Sequence, residues 1–510
     1  MRRWPLLLAV LALAACAPNA ANMTSPSADA PWTPNGGEAG LWSARTEPSA
    51  ASPATRTGAA DFAIPANPAL AELPPTDGVD LSRTYRLPEL IDLAQRNNPA
   101  TRGAWQRARE AALAVGMVEA TYLPLITANV IAGRQDTTAS IPVPSGTQRY
   151  LTTTLEGVAP SVALQWLIFD FGQRAAVADA AKQGAMAANV LFNGAHQKLI
   201  FDVTRSYYIY GAAVTRSQIA RQTLSNSLAI RSAAEDRLGR GLATTVEVAQ
   251  ARQQVAQSEL RRVQAEGQER DTYQALISTL GINATARLRV ANSGTRRLPA
   301  PADVPLDAMV KLALAQRPDV AASYSALAAS RAGIKAAEVE FLPKVFVAGA
   351  IATGDSNFNA NGLPTIGQQA TGSGVLIGAT MPLYDAGLRA AQLKQAQARA
   401  EAAESLFRRV QTDAVGEIVA ASNALRTALE SYRAATALAG AASTTYDAAI
   451  DGYRNGVGTV TAANAADSGL LDARQAQADA HASALIAAAN LAFVVGALTS
   501  RDAALRVGPG

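Results

Sequence analysis

Four stretches of the chain alternate apolar with polar or small residues, as half-buried strands do. They cover 126–132, 161–168, 345–351 and 375–381. In the first stretch Ile126, Ala128 and Val130 occupy every second position, and a period of two predicts a β-strand. Strands of about ten residues with one apolar face are typical of membrane β-barrels. We expect polar loops between the paired strands, at about 135–157 and 353–373.

Longer stretches follow the period of a helix. An Ala-, Arg- and Glu-rich segment predicts one helix over 87–121, and a run without proline predicts a second over 173–237. Apolar residues recur on the second helix and on the helix that returns from it. They are Val203, Tyr207, Tyr210 and Val214, followed by Tyr273, Leu276 and Leu280. Spacings of three and four residues are typical of helix packing, and we assign these stripes to the core.

A turn that contains glycine follows each long helix. The two turns are Leu238-Gly239-Arg240-Gly241-Leu242-Ala243-Thr244-Thr245 and Tyr453-Arg454-Asn455-Gly456-Val457-Gly458-Thr459. Glycine permits the reversal of the backbone, and a threonine or serine caps the helix that follows. We therefore predict antiparallel helical hairpins, with roughly 60 residues in the first arm and roughly 40 in the second.

The order of these features occurs twice along the chain. Leu123-Pro124, Asp170-Phe171-Gly172, Gly241 and Gly281 return as Leu342-Pro343, Asp385-Ala386-Gly387, Gly456 and Gly496. The spacing differs only between the Leu-Pro and Asp-x-Gly marks, which places the length change in a loop. We interpret the pattern as a tandem duplication of one large unit. In each copy the aspartate is expected to cap the helix that follows it.

The N-terminus predicts export from the cytoplasm. Arg2 and Arg3 precede a short apolar run at 6–13, which is typical of a signal peptide over residues 1–15. Residues 16–85 are then rich in Ala, Pro, Ser and Thr with little apolar periodicity. Such a composition predicts a flexible tether.

The end of the predicted signal peptide contains the only cysteine of the chain. Leu13-Ala14-Ala15-Cys16 resembles the bacterial lipobox, which implies cleavage before Cys16 and a lipid on its sulfur. The alternative is an ordinary signal peptide with an incidental cysteine. Ala17 stands where the inner-membrane retention signal has aspartate, and this favours the outer membrane.

Composition and motifs exclude several classes of function. A net charge of +4 over 510 residues is too balanced for a nucleic-acid binder. The two histidines, His196 and His481, have no acidic or thiol companions at ligand spacing, and we expect them at the surface or in a lumen. No phosphate-binding loop of the Walker type occurs. We predict no enzyme, no metal site and no cofactor other than the covalent lipid on Cys16.

Four strands cannot close a barrel alone. An unpaired strand edge is costly in lipid, and bacterial barrels have eight or more strands. Closure therefore requires several copies of the chain. Two copies would give eight strands and a filled interior, whereas three would give twelve and a pore wide enough for solutes. We expect a trimer if the chain conducts.

The repeated marks resemble the TolC family of outer-membrane efflux ducts, over about 87–498. A Leu-Pro before the strand, an Asp-x-Gly after its partner and a glycine turn led by arginine or tyrosine carry the resemblance. It implies an α+β membrane protein, a homotrimer with four strands per chain in a twelve-stranded barrel and helical hairpins in a periplasmic α-barrel. The expected divisions are the repeats 86–282 and 306–498, the equatorial linker 283–305 and the C-terminal tail 499–510.

By the same resemblance, the hairpin turns form a periplasmic mouth that docks on a membrane-fusion adaptor protein. The expected docking residues are Leu238, Gly241, Leu242, Ala243 and Thr244 in the first turn, and Tyr453, Gly456, Val457, Gly458 and Thr459 in the second. For the glycines, the alternative is that they only make the turn.

The resemblance also implies a gate at this mouth. Family members join an acid after the first turn to a tyrosine before the second, and Glu247 and Tyr453 stand at those positions. Since such a hydrogen bond favours the closed state, we expect Glu247→Ala to increase leakage. The alternative is a solvated Glu247. Ala462 and Ala465 stand where family members have acidic residues. Asp467, the nearest acid, is therefore the third expected gate residue beside Glu247 and Tyr453.

These features favour a passive channel, the exit duct of a tripartite efflux pump, lipid-anchored in the outer membrane and extending into the periplasm. Its expected partners are two further copies of the chain, an adaptor, an inner-membrane transporter driven by protons or ATP, and outer-membrane lipid. The duct of a type I protein secretion system is an alternative. An alternative of another class is a structural, lipid-anchored coiled-coil protein that does not conduct.

Overall fold

The computed structural model describes residues 79–141, 149–294, 296–299, 305–360 and 366–498. The predicted signal peptide, the lipid attachment at Cys16, nearly all of the tether and the C-terminal tail lie outside the described residues.

Each half of the chain contains two shorter helices, two long strands and two long helices. The first half contains β1 (Thr84–Tyr85), α1 (Leu87–Asn97), α2 (Pro99–Ala120), β2 (Leu125–Ile141), β3 (Arg149–Phe169), α3 (Gln173–Gly239) and α4 (Thr245–Leu280). After β4 (Arg289–Val290), the second half contains α5 (Leu306–Gln316), α6 (Pro318–Val339), β5 (Lys344–Ala360), β6 (Ile366–Thr380), α7 (Leu388–Arg454) and α8 (Val460–Val494). The helices have 11, 22, 67 and 36 residues in one half and 11, 22, 67 and 35 in the other. The tandem duplication is confirmed.

The helix predicted over 87–121 is wrong in one respect, because it breaks into α1 and α2. Asn98, between them, has φ −71° and ψ 123°. The ring of Pro99 excludes the helical conformation from the residue before it, and proline then fits the first position of α2. The second copy repeats the break at Arg317, with φ −68° and ψ 127°.

The glycine that ends α4 packs against this break. Gly281 has φ +72°, and a Cβ atom there would lie 2.8 Å from the Cα of Asn98. Only glycine satisfies both the left-handed backbone and the close approach. Gly496 after α8 repeats the arrangement, with φ +78°.

The four long strands form one antiparallel sheet in the order β2-β3-β5-β6. The loops predicted over 135–157 and 353–373 are wrong, because most of these residues continue the strands. Cross-strand polar pairs replace the apolar alternation there. Thr138 and Thr152 place their hydroxyls 3.1 Å apart, and Arg134 Nη1 lies 2.7 Å from Glu156 Oε1. The backbone ladder and the strand preference of threonine maintain the pairing.

The Asp-x-Gly turns begin the long helices as predicted. Asp170 Oδ1 accepts from the backbone N–H of Gly172 at 3.2 Å, and Oδ2 accepts from Arg174 N at 3.0 Å and Nε at 2.8 Å. In the second copy, Asp385 makes the same contacts with Gly387 and Arg389. These bonds satisfy N–H groups at the helix start and confirm the predicted caps.

The described residues fall into two compact units. One unit contains the sheet and consists of the described residues within 109–187 and 323–406. The other unit consists of the described residues within 79–108, 188–322 and 407–498, and it includes most of the four long helices. Among the helices described, none has the length and apolar character required of a membrane span.

The core of the helical unit contains the predicted stripes. Val203 and Tyr207 of α3 pack with Leu276 and Leu280 of α4 and with buried leucines of α1. Tyr207 also binds the backbone of the segment that connects the two halves. The hydroxyl of Tyr207 donates to the carbonyl of Ala291 at 3.0 Å. A second cluster joins α7 to α5 and α8.

Candidate functional site

The two hairpin tips, residues 238–244 and 453–459, have the same backbone construction. The N–H of Leu242 donates to the carbonyl of Arg237 at 2.8 Å, and the N–H of Val457 donates to that of Gly452 at 3.0 Å. Gly241 and Gly456 have φ +71° and +82°. Both helices therefore end in a tight reversal that requires a left-handed residue.

A threonine caps each returning helix, as predicted. Thr244 Oγ1 accepts from the N–H of Glu247 at 3.3 Å, and Thr459 Oγ1 accepts from the N–H of Ala462 at 3.2 Å. Each bond satisfies one of the N–H groups that a helix start leaves without an intrahelical acceptor.

Replacing Thr244 by alanine is expected to weaken the first turn of α4 by about 1 kcal/mol. Hydrogen exchange of the Glu247 and Val248 amides should then be about fivefold faster, because these two amides are hydrogen-bonded at the start of α4 and exchange by local opening. Thr412→Ala, an exposed position within α7, is the matched control and should leave these amides unchanged. Equal exchange in the two variants would contradict the assigned cap.

The apolar side chains at the two tips are exposed. Leu242 is 65% and Val457 is 87% exposed. Both are among the predicted docking residues, and their role in docking stays a prediction. Tyr453, also on that list, is 0% exposed. Its side chain belongs to the core beneath the tips.

All four long helices contribute to that core. Its buried residues are Ile230 and Ala234 of α3, Val248 and Ala251 of α4, Ile450 and Tyr453 of α7, and Val460 and Ala463 of α8. The ring of Tyr453 is the largest side chain among them. The two tips of one chain therefore share one hydrophobic cluster.

Arg237, in the last turn of α3, connects the two tips by polar contacts. Its Nη1 donates to the backbone carbonyl of Tyr453 at 2.8 Å, and its Nη2 donates to that of Leu242 at 3.2 Å. Its guanidinium carbon lies 5.1 Å from the centre of the Tyr453 ring. The carbonyl of Tyr453 belongs to the last turn of α7, where carbonyls lack intrahelical donors and attract cations.

The predicted hydrogen bond between Glu247 and Tyr453 is wrong for this structure. The hydroxyl of Tyr453 is buried and has no hydrogen-bond partner among the described residues. Glu247 Oε1 instead faces Thr244 Oγ1 at 3.5 Å. Burial raises the pKa of the Tyr453 phenol, and the negative charge of Glu247 raises it further. The two groups are near each other without the bond that the resemblance implied.

Asp467 is not part of an exposed acidic ring, and its prediction as a gate acid facing a mouth is wrong. Its side chain is 0% exposed, whereas Ala465 is exposed. Successive helix residues turn by about 100°, so a position two residues later points about 200° away. The acid therefore lies on the face of α8 that packs inside the bundle.

Neutral donors surround this carboxylate. Oδ1 accepts from Asn226 Nδ2 at 3.0 Å and Oδ2 accepts from Ser227 Oγ at 2.9 Å. Ser227 Oγ lies 2.8 Å from Ser258 Oγ, which extends the network from α3 to α4. Burial raises the pKa of Asp467, although the bonds from Asn226 and Ser227 act in the opposite direction.

The placement of His196 also differs from the prediction. The residue is buried, with its ring 4.8 Å from that of Phe192. His481 is partly exposed, and its Nε2 lies 2.8 Å from the carbonyl of Arg296. In the described part of the chain, no group of three or more histidine, cysteine or acidic residues is placed to hold a metal ion.

The sequence did not single out Arg237, Asn226 or Ser227. One signal for Ser227 was available, since Thr223, Ser227 and Ile230 continue the spacing of four and three on α3. A polar residue at a core position requires a polar partner. Arg237 gave no comparable signal, because an arginine in the last turn of a helix is ordinary.

A duplicated unit that pairs a strand hairpin with a long helical hairpin defines the class of TolC-like outer-membrane ducts. The chain belongs to the outer membrane efflux protein family, which matches residues 90–282 and 309–497. The predicted resemblance and the predicted location in the outer membrane are confirmed.

Three known proteins illustrate the relationship. The protein CyaE of Bordetella pertussis is 28% identical over 430 residues, which cover 82% of this chain and 85% of the relative. The outer membrane protein OprJ of Pseudomonas aeruginosa is 25% identical over 371 residues, 73% of this chain and 75% of the relative. The structure of the outer membrane channel CmeC of Campylobacter jejuni has a TM-score of 0.66 at 19% identity, covering 80% of this chain and 85% of that one.

Proposed function

We propose that the protein is the outer-membrane exit duct of a tripartite efflux pump, a trimer that conducts passively from the periplasm to the outside. The observation that carries this proposal is the incomplete sheet. Within the described residues, β2 and β6 pair on one side only, although they have 17 and 15 residues. Open strand edges of this length are not tolerated in lipid, so other copies must pair with them.

Exposed, uncharged faces of two long helices also support assembly of several copies. Exposed positions at alternating spacings of three and four form one stripe on α4 and another on α7. The α4 stripe is Val246, Ala249, Gln253, Ala256, Leu260 and Val263. The α7 stripe is Ala420, Ala424, Thr427, Ser431, Ala434, Leu438, Ala441, Thr445 and Ala448. Neither stripe contains a charged side chain, and the spacing is that of a coiled-coil seam.

The two stripes lie on different hairpins, so their pairing between copies is heterologous. An interface of this kind generates a ring when the rotation between copies closes. Three copies would supply twelve strands, which suit a solute-conducting pore. We infer that the α4 stripe of one copy packs on the α7 stripe of the next.

The remaining parts of the proposal concern partners. The exposed Leu242 and Val457 at the tips provide an apolar surface for a membrane-fusion adaptor, through which an inner-membrane transporter supplies energy. A lipid on Cys16 would add a second attachment to the outer membrane. The duct itself would need no catalytic group, cofactor or metal.

Reconstitution of the purified full-length protein in planar bilayers tests the proposal. We expect discrete single-channel currents together with a trimeric mass in mild detergent. A protein that inserts but never conducts at any applied voltage would support the structural alternative. The pump assignment is tested by co-expression with an adaptor and a transporter in a strain that lacks its own ducts, where dye efflux should be restored.

A further inference from the structure

We propose that Arg237 is the gating residue that holds the second hairpin tip against the first in the closed mouth. The proposal rests on the function proposed above and assigns its regulation to a residue outside the predicted gate. The side chain of Arg237 donates to the backbone of both tips, at Leu242 and at Tyr453.

The geometry gives Arg237 three simultaneous roles. Its guanidinium neutralises the carbonyl end of α7 at Tyr453, fixes the reversal of its own tip at Leu242 and lies on the Tyr453 ring. Hydrogen bonds from a charged donor are stronger than neutral ones, and the planar guanidinium can donate to two carbonyls at once. A lysine or glutamine cannot reproduce this set of contacts.

The surroundings of Arg237 favour these contacts over any others. In the described part of the chain, no carboxylate lies within ion-pair distance of its guanidinium, which is therefore free to bind carbonyls and a ring. Gly456 lies beside this contact, since a Cβ atom there would be in ordinary van der Waals contact with Nη1, at 3.5 Å. The buried hydroxyl of Tyr453 has no hydrogen-bond partner among the residues that the structure describes. Tyr453 thus contributes its ring and its carbonyl to the contact, and its hydroxyl contributes nothing.

Two variants distinguish a gate held by Arg237 from a gate held by the Glu247–Tyr453 hydrogen bond. Tyr453→Phe keeps the ring and the carbonyl and removes only the hydroxyl. Arg237→Gln keeps a polar side chain and removes the charge and the stacked plane. We expect Tyr453→Phe and Glu247→Ala to behave like the parent protein in bilayers. We expect Arg237→Gln to raise the open probability about tenfold to a hundredfold, the effect of losing one charge-assisted hydrogen bond. The reverse ranking would overturn the proposal.

A distance measurement within one chain tests the contact without requiring conduction. Spin labels on Leu242→Cys and Val457→Cys, both exposed, report the separation of the tips. Labelled chains are assembled with a tenfold excess of unlabelled chains, so that nearly every labelled pair belongs to one copy. We expect a narrow distance distribution in the parent and in Tyr453→Phe, and a broader, longer one in Arg237→Gln. Unchanged distances in Arg237→Gln would overturn the proposal.

The two measurements also distinguish the possible failures. If no protein conducts but Arg237→Gln separates the tips, the proposed function fails and the tip contact stands. If the parent conducts and Arg237→Gln changes neither current nor distance, only the gating role fails. If Arg237→Gln does not fold, Arg237→Lys and Tyr453→Leu replace it. Arg237→Lys replaces the planar guanidinium by an ammonium group, and Tyr453→Leu removes the ring beneath the guanidinium. Each should give intermediate distances, and parent-like distances in both would overturn the proposal.

Discussion

Replacing Ala434 and Leu438 together by glutamate should convert the trimer into monomers. Both residues are exposed members of the α7 stripe, which we assign to the seam between copies. An unpaired carboxylate placed in a desolvated seam costs several kcal/mol. Each seam of the ring would contain two such carboxylates, one from each substituted position. We therefore expect the trimer band to disappear at micromolar protein concentration. Native mass spectrometry or light scattering in mild detergent gives the measurement.

The matched control for this variant is Gly440→Glu. Gly440 is exposed on the same helix, with open space at the position of an added Cβ atom, and lies about 140° around the helix from the centre of the α7 stripe. It should remain trimeric. Far-ultraviolet circular dichroism should show equal helix content in both variants, because the substituted positions do not belong to the core of the chain. A trimer that survives the double substitution would disprove the assigned seam.

The helical hairpins could be predicted because their determinants are local. The absence of proline over 173–237, the apolar spacing and the glycine turns required no knowledge of distant residues. The predicted helix start and end lie within two residues of α3, Gln173–Gly239. The duplication strengthened each prediction, since every mark occurs in both halves.

The ends of the strands could not be predicted from the same patterns. Residues 135–141 are mainly polar, so no apolar alternation marks them. What extends the strand is the pairing of backbone groups with residues distant along the chain. Asp136, for example, lies opposite Thr154 and accepts a hydrogen bond from it at 2.6 Å. The strand propensity of single residues is a weak guide to where a strand ends when its backbone hydrogen bonds are made with a neighbouring strand.

Some features of the candidate site could also be predicted from the sequence, and others could not. The turn glycines and the capping threonines were predictable, because their roles depend on the local backbone. The side-chain contacts of Tyr453 and Asp467 were not, since they depend on how each helix is rotated against its neighbours. A shift of one residue turns a side chain by about 100°. That rotation places Asp467 among Asn226 and Ser227 instead of in an exposed ring.

Replacing Asp467 by asparagine is expected to stabilise the protein at neutral pH by several degrees in the midpoint of thermal unfolding. The carboxylate is fully buried, and the groups that bond to it are neutral. Arg261 and Arg474 act on it through their charge, without a hydrogen bond to it among the described residues. An amide of the same shape can accept from Asn226 and donate to Ser227 without carrying a buried charge. Alanine lacks this capacity, so Asp467→Ala should destabilise by removing the acceptor of Asn226 and Ser227 and by leaving a cavity.

The pH dependence provides the sharper test. Because burial raises the pKa of Asp467 above its ordinary value of 3.8, the folded protein binds this proton more tightly than the unfolded chain does. The stabilisation that protonation provides is complete below that ordinary value and is lost as the pH rises through the pKa of the folded state. The advantage of Asp467→Asn should therefore be largest above neutral pH and vanish near pH 4. Asp472→Asn, which removes an exposed acid from the same helix, is the matched control. An advantage that is constant across this range would mean that the pKa of Asp467 is the same in the folded and unfolded chains, which would contradict the assigned effect of burial.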